Sequence, residues 1–190
     1  IAWRNNPATI ASCDEDEFEK IIDVDLFGVW RPLRAALPEV QRNHGQIVIT
    51  SSIYSFVNGM VNAPYAASKA AVEMLGRALR AELAGTGASA SVLYPGWTAT
   101  PITDLAFGGH ATASELIESA FPAVLRKQVQ PEEIATALVA GLATRSAAII
   151  APARWKPLSM LRGVMSPLSD ALLARSDKIH RLVRDIESNR

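Results

Sequence analysis

Tyr65 and Lys69 stand four residues apart in the stretch YAASK. On a helix, that spacing puts both side chains on one face, one above the other. A phenol and an ammonium so placed suit proton transfer to or from an oxygen. The free phenol, with a pKa of about 10, is a poor base near neutrality. An ammonium one turn away stabilises the phenolate and lowers that value. Ser52, at the end of GQIVITSS, adds a hydroxyl that can hold a substrate oxygen in line. None of these groups carries electrons, so redox chemistry here requires a hydride cofactor. Taken alone, such a Tyr–Lys pair usually reflects packing or snorkelling, and serines or Pro-Gly after a strand usually mark caps and turns. Here order, spacing and placement at strand ends agree.

These residues need strands and a helix to position them. The run Ile47–Thr50, β-branched and preceded by Gly45, reads as a buried strand. A helix rich in Ala, Leu, Glu and Arg follows from about Tyr65 to Leu83 and stops at Gly85-Thr86-Gly87. ASVLYPGW is a second strand, closed by Pro95 and Gly96. Strand, helix and strand form a βαβ unit with parallel pairing and a right-handed crossover. Ligands in such sheets bind beyond the carboxyl ends of the strands, where Ser52, Tyr65 and Lys69 converge.

Upstream, Ser12 followed by Glu15 and an acidic first turn predicts a helix start. Phe18, Ile21, Ile22, Leu26 and Val29 continue it at helical spacing, and Pro32 and Pro38 are expected to kink or interrupt it. Downstream, a helix is expected near 113–127 after Gly108-Gly109, and Pro131 opens another. AAIIAP makes a third strand. The basic tail 154–190 offers Leu168, Leu172, Leu173, Ile179, Leu182, Val183 and Ile186 for one apolar face. The fold class is α/β, a mostly parallel sheet with helices on both faces.

Composition narrows the function. With 190 residues, 49% of them hydrophobic, the chain can bury a real core. No stretch approaches the roughly 20 apolar residues of a membrane span, and no secretory signal is evident. Lys+Arg and Asp+Glu balance at 19 each, against a nucleic-acid surface. The single Cys13 fits a reducing, cytoplasmic setting, and His44, His110 and His180 lack the spacing of a metal site.

DVDLFGVW, GQIVITSS, YAASKAAVEML and VLYPGWTAT together resemble the C-terminal, catalytic part of the short-chain dehydrogenase/reductase family, over Ile1 to about Ala151. The family's Ser lies thirteen residues before its Tyr, the separation of Ser52 and Tyr65. The resemblance implies a partial Rossmann-type, doubly wound sheet over 1–153, with 154–190 a helical extension packing on the domain or a partner subunit. It implies an oxidoreductase interconverting a secondary alcohol and a ketone with NAD or NADP. Tyr65 would be acid/base, Lys69 its pKa modulator and binder of the nicotinamide ribose, and Ser52 the group orienting the substrate. Pro95, Gly96, Thr98 and Thr100 would line the nicotinamide side. Tyr54, Trp97 and Phe107 would wall the substrate side, in keeping with an apolar or lipid-like substrate. A homodimer or homotetramer is implied, through the helices near 14–42 and 65–84. Membrane contact is not expected.

Two departures stand out. Asp25 replaces the Asn that helps hold a relay water in the family, and its carboxylate is expected to pair with Lys69 and weaken, without abolishing, the relay. The glycine-rich turn that seats a pyrophosphate at a helix N-terminus is absent, and the chain starts just after the family's N-A-G segment. Both favour an alternative, a catalytically silent binding or scaffold protein, against which Ser52, Tyr65 and Lys69 argue. An isomerase or epimerase using the same pair with a bound nicotinamide fits less well, lacking a large second substrate domain. The substrate, reaction direction, choice of nicotinamide and completeness of the chain stay open at this level.

Overall fold

The computed structural model describes residues 7–101 and 111–188. Three parallel strands, β1 (Gln46–Thr50), β2 (Ser89–Pro95) and β3 (Ala148–Ala151), form one sheet in the order β1-β2-β3. Ile49 pairs with Val92, and Leu93 with Ile149. Because side chains alternate, Ile49 and Val92 face one side, while Val48, Leu93 and Ile149 face the other. This is the expected parallel α/β architecture.

On the first side lies α3 (Ala63–Glu82), with Pro64 in its first turn, where a missing N–H costs nothing. It begins two residues before the sequence expectation. Val72 and Leu79 pack with Ile49 and Ala90. Gly76 permits the close approach: a Cβ there would lie 2.4 Å from Cγ2 of Val92. The other side is covered by α6 (Pro131–Ala143), whose Ile134 joins Leu93, Ile149 and Ala151. Gly85 and Gly87 end the crossover with φ of +83°, a conformation that favours glycine.

The first helix departs from expectation at its cap. α1 (Glu15–Ile22) is capped by Asp14, whose carboxylate accepts from the Glu17 N–H. Ser12 is engaged instead in a local turn with Thr9. A π-helical turn, Asp23–Phe27, then leads into α2 (Gly28–Arg42). Pro32 and Pro38 do not interrupt α2. Each proline deprives the carbonyl four residues back of its partner, and those residues, Gly28 and Arg34, are exposed, where water can substitute.

The helix expected near 113–127 divides at Pro122 into α4 (Ala111–Ala120) and α5 (Ala123–Arg126). After β3 the chain forms α7 (Lys156–Met160), α8 (Arg162–Leu173) and α9 (Asp177–Ser188). Ile179, Leu182 and Ile186 of α9 are buried with Leu116 of α4. Leu168 and Leu172 do not share that face; they are exposed on α8. A short turn between Leu173 and Asp177 reorients the helix, so the apolar positions of the tail do not add up to a single stripe.

Candidate active site

β1 delivers Ser51 and Ser52 at its carboxyl end, and both are buried. Ser51 Oγ donates to the Lys69 carbonyl at 2.8 Å, tying the strand end to α3. Ser52 caps a 3₁₀ turn, Ile53–Ser55, by accepting from the Tyr54 N–H at 3.2 Å. That capping bond fixes the Ser52 hydroxyl beside Tyr65, with which it hydrogen-bonds. Tyr65 and Lys69 stand one turn apart on α3, with the Lys69 ammonium 5.4 Å from the centre of the Tyr65 ring. Ser52, Tyr65 and Lys69 thus meet in one buried cluster.

Asp25 joins it from the π-helical turn. Its Oδ2 lies 3.8 Å from Lys69 Nζ, an ion pair longer than a hydrogen bond, with both side chains out of solvent. Burial lowers the Lys69 pKa, and the Asp25 carboxylate opposes that fall. Burial pushes the Tyr65 phenol up to about 12; the Ser52 hydrogen bond pulls it down, and the Asp25 charge raises it again. The phenol therefore rests protonated, ready as an acid. Asp25 and Lys69 also line a groove of about 620 Å³ with Thr50, Gly28 and Val48, beside β1.

The second phenol, Tyr54, packs edge-on against Tyr65 with centroids 5.8 Å apart and hydrogen-bonds Trp97. Burial drives its pKa strongly upward. Trp97 in turn meets Phe121 at 5.2 Å and Trp155 at 5.7 Å, both edge-on. Trp97 is therefore at once core packing and part of the aromatic wall behind Tyr65. Pro95 ends β2, Gly96, Thr98 and Thr100 follow it, all four are half-buried, and Thr98 Oγ1 donates to the Gly96 carbonyl at 3.0 Å. Gly96 backs onto Trp155, whose Nε1 lies 2.7 Å from where a Cβ would stand. Phe107 lies outside the described residues.

Glu73 escaped the sequence reading, although the signal was there. It continues the Tyr65–Lys69 row by another four residues. Buried on α3, its carboxylate receives Arg162 of α8 at 2.7 Å and the Tyr94 hydroxyl, which ties the C-terminal helices to α3.

The donor set fits the nicotinamide–ribose end of a dinucleotide: a buried ammonium opening on a groove, beside a phenol and a hydroxyl. A pyrophosphate seat would need a glycine-rich turn between a strand and a helix, and the 190 residues contain none. Among the described residues no cluster of His, Cys, Asp and Glu is built to hold a metal ion.

Comparison with known proteins identifies the family of this fold. A monensin polyketide synthase putative ketoacyl reductase of Streptomyces virginiae is 30% identical over 158 residues, 78% of this chain and 60% of that protein. A cyclopentanol dehydrogenase of Comamonas testosteroni is 29% identical over 131 residues, 68% of this chain and 51% of that protein. The chain thus spans about half to three-fifths of the length of these curated relatives. A gluconate 5-dehydrogenase from Burkholderia cenocepacia, solved in complex with NADP and tartrate, superposes with a TM-score of 0.66 at 25% identity, covering 79% of this chain and 60% of that one. The family model for short chain dehydrogenases matches residues 2–107, more than half of the sequence. The chain belongs to the short-chain dehydrogenase family.

Proposed function

We propose that this chain carries the catalytic half of an NAD(P)-dependent oxidoreductase that interconverts a secondary alcohol and a ketone. One observation carries the reading: the Ser52 hydroxyl bonds the Tyr65 phenol while the Lys69 ammonium lies 5.4 Å from the ring. The relatives named for ketoacyl reduction and cyclopentanol oxidation support the substrate class. Solved neighbours carrying NADP, NADPH or NADH support the cofactor.

A bound nicotinamide supplies or accepts the hydride. Everything else falls to the protein. In reduction, Ser52 donates a hydrogen bond to the ketone oxygen and Tyr65 gives that oxygen its proton, so hydride and proton together convert the carbonyl to an alcohol. A phenol held up to about 12 is an acid poised for that direction. Lys69 would hold ribose hydroxyls and, with Asp25, would return a proton towards Tyr65. Pro95, Gly96, Thr98 and Thr100 line the nicotinamide side. Tyr54, Trp97 and, by sequence, Phe107 wall the substrate side, and that aromatic lining suits an apolar or lipid-like ketone. The partly exposed Phe18, Phe27 and Trp30 along α1 and α2 are consistent with a homo-oligomer built on these helices.

The test is titration of the purified chain with NADH and NADPH, read by cofactor fluorescence, followed by ketone turnover. Saturable binding, with turnover reduced about a hundredfold or more in Tyr65→Phe, supports the reading. Turnover unchanged by Tyr65→Phe overturns it. The buried Asp25–Lys69 pair favours one second reading, a silent binding or scaffold protein. A folded chain that binds neither nucleotide supports that instead.

A further inference from the structure

An amphipathic helix on a protein surface normally turns its apolar face to the core. α8 reverses this. Arg162, Ser166 and Asp170, spaced by four, face the body of the molecule. Arg162 Nη1 donates to Glu73 Oε1 at 2.7 Å, Ser166 Oγ to the Phe56 carbonyl at 3.4 Å, and Asp170 Oδ1 accepts from Asn58 Nδ2 at 2.9 Å. No residue of α7 or α8 is fully buried. Along the outer side run Met160, Val164, Leu168 and Leu172, also spaced by four, with Leu161 beside them. These five are between 52% and 81% exposed. Exposed apolar side chains gathered in one stripe mark an interaction face.

The charges around this stripe indicate what covers it. Lys156 continues the row at one end and Arg175 closes it at the other, both exposed. Between them the only carboxylate is Asp170, exposed and held to Asn58 on the side of α8 away from the stripe. The stripe itself is therefore apolar with a cationic group at each end. A second copy is a poor occupant. Two-fold antiparallel pairing of the helices sets the Lys156 end of one copy against the Arg175 end of the other, and parallel pairing sets each cation against itself. Like charges meet either way. An anionic lipid surface satisfies both features: acyl chains take the stripe while headgroups neutralise the cations. Among the described residues no helix is long and apolar enough to cross a membrane, so the contact is one of lying on the surface.

We infer that α7 and α8 form a membrane-surface docking face, which rests the protein on anionic lipid through Met160, Leu161, Val164, Leu168 and Leu172.

The test is co-sedimentation of the full chain with vesicles of phosphatidylcholine alone or with about a third phosphatidylserine, alongside analytical ultracentrifugation without lipid. Binding to the anionic vesicles is expected. It should be lost in Val164→Glu/Leu168→Glu, whose exposed positions leave the circular dichroism unchanged. In Lys156→Ala/Arg175→Ala it should weaken by about fivefold per cation, with a reduced salt dependence. This second variant tests the charge term even should the first misfold. Equal binding to neutral vesicles, no binding to anionic ones, or a lipid-free dimer that the glutamates dissociate would each overturn the inference; the last would make the face a contact between copies.

Discussion

The Lys69 ammonium lies 3.8 Å from the Asp25 carboxylate, and neither group reaches solvent. Asp25 thereby acts on both groups, opposing the burial-driven fall in the Lys69 pKa and adding to the rise at Tyr65. Asp25→Asn removes the carboxylate but keeps the shape. The phenol then ionises more readily and Lys69 less so. Alcohol oxidation, which needs the phenolate as base, should gain turnover at neutral pH, and its acid limb should move to lower pH. The pH profile of nicotinamide-dependent oxidation by both proteins checks this. Superimposable profiles would show that Asp25 is not coupled to the relay.

All three tyrosines of the chain, Tyr54, Tyr65 and Tyr94, are buried with raised pKa values, Tyr65 and Tyr94 to about 12 and Tyr54 higher. Unfolded tyrosine ionises near 10. Between those values the unfolded chain holds fewer protons, so stability falls as pH rises from about 10 to about 12; below 10 this contribution is fully present. Tyrosinate absorbance should stay flat through pH 10 and appear together with loss of ellipticity. Tyrosinate forming near 10 in a chain with native ellipticity would contradict the burial of these rings.

Gly76 decides how closely α3 meets the sheet. Alanine is better in a helix by about 1 kcal/mol. Its Cβ, however, would stand 2.4 Å from Cγ2 of Val92 and 3.5 Å from Cδ1 of Ile49. Valine is stiff at χ1, so the strand itself must give, at about 1–3 kcal/mol. Gly76→Ala should therefore destabilise by about 1 kcal/mol net, seen as a lower urea midpoint at unchanged m-value. A raised midpoint would mean that the helix–sheet contact is looser than described.

The βαβ unit was legible because its signals are local: the Ile47–Thr50 run, the alanine-rich helix and the Pro95-Gly96 stop each name their own element. The Ser52–Tyr65–Lys69 cluster followed because sequence spacing and the strand-end rule fix its geometry together. The caps were harder. Ser12 and Asp14 both suit an N-cap, and the turn with Thr9 that occupies Ser12 is not visible in a helical pattern. The tail was least legible. Leu168 and Ile186 look alike in sequence, yet Arg162, Ser166 and Asp170 find polar partners 89 to 112 residues away and turn α8 over. Periodicity shows that a helix has two faces, not which one the fold will bury.

Those long-range contacts lead to the remaining expectation. Glu73 is a buried carboxylate with three partners: Arg162 at 2.7 Å, Arg77 at 3.6 Å and the Tyr94 hydroxyl. Arg162→Ala removes the shortest of these and frees one end of α8. Arg77 and Tyr94 remain, so the cost is smaller than for stripping a buried charge of every partner, about 2 kcal/mol. Replacing the carboxylate as well, in Glu73→Gln/Arg162→Ala, leaves no charge to strand, and the loss relative to Glu73→Gln alone should shrink to within about 1 kcal/mol. A double-mutant cycle in urea therefore reads the coupling directly. A sizeable coupling energy makes the Glu73–Arg162 pair the tie that holds the inverted helix to α3. Strict additivity would assign that hold to Ser166, Asp170 and the flanking Leu158 and Leu173 instead.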